Sequence, residues 1–373
     1  MKKYIKYFTI ACLIGILGLW IYLNREKGNP IENFEYFFQT FEKNYALFGV
    51  KNIDWQEIHD YYSKEIDENT TDDELFDIFK ESLRKLDDKH CYIYRFNEIY
   101  FSGYDLPPQN YLDLLSFDFR VDTDDFSLKL IEKEYLKKGF DKSLMICSFL
   151  PPIGIRNVFT TGWLTDSIAY LHMSEMSNKR EKVHQAIDEF FQKYGSANGF
   201  VIDIRDNIGG YSVPVERLAG KFVDKEKVFA ISRLRKPDSL HSFKDPDYWK
   251  LEPTKEKSYS SIPVAILTNR NTQSAAELFT LMMSSLPNVT LIGDTTTGIF
   301  ADTHIGKLPN SWEYRLSIRK TSDKNDRCFE DIGIEPDILI ENTIEEIAND
   351  KDKVIEFAMK HLSIKMKNIT DRK

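Results

Sequence analysis

The 373-residue chain has only four cysteines, Cys12, Cys91, Cys147 and Cys328. None lies in a CxxC or Cys/His spacing, so no zinc site is expected and a disulfide scaffold is excluded. A single Cys91–Cys328 bridge is left open. Basic charge is also short: the net charge is -9. Lys2, Lys3 and Lys6 lie in the first 24 residues, which hold no acid, so the remainder is more acidic still. Such a surface does not suit nucleic acid, whose phosphates need a basic face. Low-complexity tracts and internal repeats are absent, which excludes global disorder and a solenoid or propeller. The phosphate-loop lysine and the G-x-G-x-x-G spacing are missing as well.

What is present begins with an apolar run of 17 residues, Tyr7 to Leu23, behind the basic cap. That length is at the short end of a membrane-spanning helix, and the lysines favour a cytoplasmic N-terminus. Leu19-Trp-Ile-Tyr-Leu-Asn24 offers no small-x-small cleavage site. The run continues well past Cys12, against a lipid-modified cysteine. The expectation is an uncleaved signal anchor and linker over 1–29. The rest of the chain would then lie in the periplasm or at the cell surface, or be secreted if the N-terminus is cleaved.

Residues 30–95 read as a small helical bundle. Phe34, Phe37, Phe38 and Phe41 recur at helical spacing, a second helix starts at Trp55 and runs to about Ile66, and Thr71-Asp-Asp-Glu74 is a capping box. Residues 96–160 read as a short β-rich insert, with a strand at Phe117 to Val121. From 161 to 345, strands at Ser167–His172, Asn198–Ile204, Pro263–Thr268 and Val289–Gly293 alternate with helices at Lys182–Tyr194 and Ser274–Ser285. That alternation indicates an α/β domain with a partly parallel sheet. A helical tail is expected from Ile344 to about Leu362, within a final segment 346–373.

Four segments could carry chemistry. Ser274 opens a helix after a buried strand, where free N–H groups favour an oxyanion. It is read either as a nucleophile or as an ordinary N-cap. Gly209-Gly210 closes a turn after the strand through Asp203, and paired glycines let backbone N–H groups approach a ligand. His90 follows a helix and has a side chain suited to taking a proton from a serine. Glu330 lies before the turn Gly333-Ile-Glu-Pro336 and is read as able to orient a base or contact a substrate amine. His304, in the loop after Gly293, is a further histidine to place.

Taken in order, Leu86-x-Asp88-x-His90, Arg205-x-Asn207-x-Gly209-Gly210, Thr272-x-Ser274-Ala-x-Glu277, Gly293-Asp-x-Thr-x-Gly298 and Gly333-Ile-Glu-Pro-Asp337 resemble the S41 serine peptidases. Within that family the match is to the C-terminal processing and tail-specific enzymes and their tricorn-like branch. The resemblance covers most of residues 31–360. It implies a ClpP/crotonase-like catalytic domain, peptide or unfolded protein as substrate, and no cofactor. It implies Ser274 as nucleophile and backbone N–H groups of Ala275 and of Gly209 or Gly210 as the oxyanion hole. The branch with a lysine base after Gly298 is excluded, because Ile299 and Phe300 stand there. The tricorn-like branch implies His90 as base and Glu330 as its partner. Lys89 stands where that branch has serine, Ile208 where proline or glycine is usual, and residues 96–160 show no PDZ signature. The alternatives are an inactive peptide-binding relative and a crotonase-like acyl-CoA enzyme, the latter opposed by an N-terminal anchor with export polarity, since CoA is cytoplasmic.

Overall fold

The computed structural model describes residues 29–96, 98–103, 128–150, 154–176, 180–237, 239 and 242–371. The apolar run at 7–23 and the strand expected at 117–121 lie outside them. Among the described residues no helix is long and apolar enough to cross a membrane.

The chain starts with helices α1 (Pro30–Asn44), α2 (Phe48–Lys51), α3 (Trp55–Tyr62) and α4 (Asp72–Leu86). Strands β1 (Tyr92–Arg95) and β2 (Glu98–Phe101) follow, and then β3 (Ile146–Leu150), β4 (Gly154–Trp163) and β5 (Ile168–Met173). Next come α5 (Arg180–Tyr194), β6 (Gly199–Asp203), α6 (Ser212–Gly220), β7 (Lys227–Leu234), β8 (Asp247–Leu251) and β9 (Val264–Thr268). Helix α7 (Ala275–Ser284) leads to β10 (Val289–Gly293), β11 (Thr303–Lys307), β12 (Glu313–Ser317), β13 (Arg319–Asp323) and β14 (Ile338–Leu339). Helices α8 (Ile344–Ala348) and α9 (Lys353–Thr370) end the described chain.

A seven-stranded sheet in the order β14-β10-β9-β6-β5-β4-β3 forms the centre. Its β14, β10, β9, β6 and β5 are parallel, whereas β4 and β3 are antiparallel. The central strands β5, β6, β9 and β10 are buried along their whole length, so they read as continuous apolar runs rather than alternations. Helices α5, α6 and α7 pack on one face around Phe190, Phe200, Phe222 and Phe279, and α9 covers the other with Ile355 and Leu362. The molecule is therefore α/β with an N-terminal helical region.

Within 96–160, the described residues do not make a unit of their own. Strand β2 joins β1 in the four-stranded sheet β11-β12-β1-β2, and β3 and β4 extend the central sheet. Strand β4 also runs through residue 160, because its Phe159–Trp163 end pairs with β5.

The helical bundle has the capping box read from sequence: Glu74 accepts from the Thr71 N–H at 2.8 Å, and Thr71 Oγ1 accepts from the Glu74 N–H. Its aromatic stripe is core. The Phe37 and Phe79 rings stack at 4.2 Å, and the same cluster takes in Leu308, Tyr314 and Leu316. The bundle is thus packed onto the four-stranded sheet, and this contact positions the residues between α4 and β1. The bridge left open in the sequence is not made: Cys91 and Cys328 are both free thiols.

Candidate active site

Parallel β6 and β9 end side by side, and the turns that leave them form the floor of the site. In the first turn Asp206 takes positive φ, and its carboxylate accepts from the side chains of Asn269 and Asn271 in the second at 2.8 and 2.7 Å. Thr272 Oγ1 donates to the Ile204 carbonyl at 3.0 Å, which ties the same two turns again. Ser274 then caps α7 with φ 56° and ψ -121°, a strained conformation for a residue with a Cβ, costing roughly 1–3 kcal/mol. Strain at one side chain that the surroundings hold in place distinguishes this serine from an ordinary N-cap.

Glu277 does much of the holding. Its carboxylate, 0% exposed, accepts from the Ser274 N–H (3.1 Å), the Ile299 N–H (2.7 Å), the Gly298 N–H (2.6 Å) and Thr296 Oγ1 (2.6 Å). It clamps the start of α7 to the 296–299 turn. Burial pushes its pKa up to about 7, while those four donors pull the other way.

His90 reaches Ser274 from the other sheet. It sits between α4 and β1, where its N–H donates to Asp88 at 2.8 Å and its carbonyl accepts from the Arg315 Nε of β12. Its Nε2 lies 3.3 Å from Ser274 Oγ. Its Nδ1 is buried without a hydrogen-bond partner. The ring is buried, which lowers its pKa to about 3, and the Arg315 charge adds to the effect. The imidazole is therefore neutral at rest and able to accept a proton.

The two glycines are not equivalent. The Gly209 N–H is occupied, donating to Asn207 Oδ1 at 2.9 Å. The N–H groups of Gly210 and Ala275 meet no acceptor among the described residues. Of the two glycines left as alternatives in the sequence, the geometry favours Gly210 beside Ala275. Gly209 is needed for a different reason. Its φ is 87°, and a Cβ there would lie 2.7 Å from the Ser274 Cβ.

Glu330 is buried nearby, but makes no hydrogen bond to His90 or Ser274. It accepts from the Phe300 N–H at 2.9 Å, and burial, reinforced by the charge of Asp88, raises its pKa well above the usual range. His304 lies exposed on β11, paired with Leu316, and does not line the site. Asn207, Asn269 and Glu277 were given no role in the sequence reading. The first and last stand inside quoted motifs, but only the folded turns reveal what they bond.

A cleft of about 420 Å³ opens over these groups, lined by His90, Phe101, Met176, Gly210, Ser274 and Arg315 among others. A buried base, a hydroxyl in its reach and two unpaired N–H groups can perform nucleophilic acyl transfer. Among the described residues no cluster of ligands could hold a metal ion.

Residues 167–340 match the model of peptidase family S41, and residues 29–84 match that of the tricorn protease C1 domain. The carboxy-terminal processing protease CtpB of Bacillus subtilis (strain 168) is 27% identical over 175 residues, which make up 47% of this chain and 34% of that protein. The chain thus spans about a third of the length of the curated relatives it matches first. A crystal structure of a candidate peptidase from Parabacteroides merdae is similar with a TM-score of 0.70 at 25% identity, covering 90% of this chain and 97% of that one. The photosystem II D1 C-terminal processing protease shares the fold with a TM-score of 0.53 at 14% identity, covering 83% and 92%.

Proposed function

We propose, from the peptidase family S41 domain that this chain carries at residues 167–340, that it is a serine endopeptidase cleaving peptides or protein tails through an acyl-enzyme on Ser274. The observation that supports this most is the 3.3 Å approach of His90 Nε2 to Ser274 Oγ beside the free N–H groups of Gly210 and Ala275. His90 takes the hydroxyl proton as Oγ attacks the peptide carbonyl, and the two N–H groups hold the oxyanion. The imidazolium then gives its proton to the leaving amine, and water attacks the acyl ester with His90 again as base. Glu330 serves by holding the Phe300 N–H and hence the turn beside the site, rather than by touching the imidazole. The apolar run at 7–23 anchors the chain with its catalytic part in the periplasm or at the cell surface.

The test is a peptide cleavage assay with Ser274→Ala, together with labelling by a serine-directed phosphonate. Cleavage is expected to vanish and the label to map to Ser274 in the unaltered chain. Cleavage that persists in the variant refutes the assignment. A second reading, an inactive peptide-binding protein, draws on the buried His90 Nδ1, which has no acceptor to fix the tautomer. It expects peptide binding without any label at Ser274.

A further inference from the structure

Most arginines among the described residues end on carboxylates, while Arg235 donates to the carbonyls of Tyr45, Lys236 and Ser239. Arg95, Arg205, Arg217, Arg233, Arg270 and Arg319 each meet one at 2.5 to 2.7 Å. Arg315 does not. Its Nε donates to the His90 carbonyl, and its guanidinium lies over the rings of Tyr92 at 4.8 Å and Phe101 at 5.4 Å. No carboxylate among the described residues is in salt-bridge range, and its Nη groups meet no acceptor there. The registers Arg315↔Tyr92 and Tyr92↔Phe101 place the three side chains in one row across β12, β1 and β2. Arg315 and Phe101 from this row line the cleft that contains Ser274.

A half-buried cation left unpaired is costly, and the two ring contacts offset only part of that cost, roughly 0.5–2 kcal/mol each. What they provide is rigidity: the planar fork is held in place at the wall of the cleft. A fixed guanidinium of this kind matches a carboxylate with two parallel N–H···O bonds. Resting on the peptidase reading above, we propose that Arg315 receives a carboxylate of the peptide substrate close to the bond that Ser274 attacks. Acidic peptides are then the favoured substrates. The pairing also acts on the chemistry. The Arg315 charge disfavours an imidazolium at His90, so a substrate carboxylate that neutralises it makes His90 a better base. Acidic substrates gain in kcat as well as in KM.

The experiment uses the full chain in detergent and three peptides of one sequence. One has Glu beside the scissile bond and an amidated C-terminus. The second has Gln there and a free C-terminal carboxylate next to it. The third has Gln and an amide. The expected kcat/KM preference for the first over the third is about tenfold, weakening with salt. Arg315→Gln brings the ratio to about one, and Arg315→Lys keeps part of it. A preference carried by the second peptide alone still supports the receptor and assigns it to a chain terminus. Equal rates for all three, or a preference that survives Arg315→Gln, overturn it. Binding of the same peptides to the Ser274→Ala chain reads the receptor without turnover. Loss of chemistry and loss of the receptor are therefore separate results.

Discussion

His90 is 8% exposed, and its pKa of about 3 has burial as the first cause and Arg315 as the second. In the unfolded chain an imidazole takes its proton near pH 6.5. The folded chain refuses that proton until about pH 3. Between the two values the unfolded state binds more protons, so the stability tied to this residue is complete above pH 6.5 and is lost as pH falls. The limiting slope is about 1.4 kcal/mol per pH unit. Chemical unfolding of the wild type and of His90→Gln measures it. The difference in unfolding free energy between them is expected to be level above neutrality and to shift by up to that slope under acid conditions. A difference independent of pH would show that the ring is solvated. Ser274 and His90 were legible as a pair in the sequence because each stands in a short motif of fixed order. The choice between Gly209 and Gly210 was not, since it turns on the Asn207 side chain folding back onto one N–H. The contacts of Glu330 were hidden for the same reason: its buried neighbour Phe300 is thirty positions away.

Among elements, α7 shows how one side chain shapes a turn. Glu277 supplies two acceptors on each oxygen, and all four partners are N–H or O–H donors. Glu277→Gln keeps the size but turns an NH2 group toward two of those donors. Each buried donor left unmet costs roughly 1–3 kcal/mol. The variant is expected to lose about 2–6 kcal/mol in urea unfolding, a range built from that per-donor cost. It is also expected to lose most of its peptidase activity, since the strained Ser274 turn loses its clamp. Wild-type stability would show that the turn holds itself. Most elements were legible, because capping signals and apolar periods are local. The expected tail helix is instead two helices, α8 and α9, broken where Asp350 takes positive φ. Asp352 explains the break. It caps α9 by accepting from the Val354 and Ile355 N–H groups at 3.1 Å, and it pairs with Arg205 at 2.8 Å. An aspartate called away by an arginine 147 positions earlier leaves no mark in a periodicity.

At the scale of the molecule, two sheets meet at one cleft, and the helical bundle fixes the smaller sheet by sharing its core. Lys51 of α2 adds a cross-tie, donating to Asp331 at 2.5 Å and to the Asp87 carbonyl at 2.8 Å. The α/β class could be read from alternating strands and helices. The assignment of β1–β4 to two sheets could not, because pairing partners lie far apart in sequence. The proposed anchor is tested on the whole chain. The full chain is expected to remain with membranes through a high-salt wash, and a chain starting at Asn29 to appear in the soluble fraction. Release of the full chain by salt alone would overturn the anchor. The two reacting side chains stand 184 residues apart, one on each side of the cleft. A ribosome making this chain has produced the imidazole long before the hydroxyl, with the Gly210 N–H between them and the Ala275 N–H just after. On the proposed reading, no product that stops short of Ser274 can cut its neighbours, so the order of synthesis is itself a safety catch.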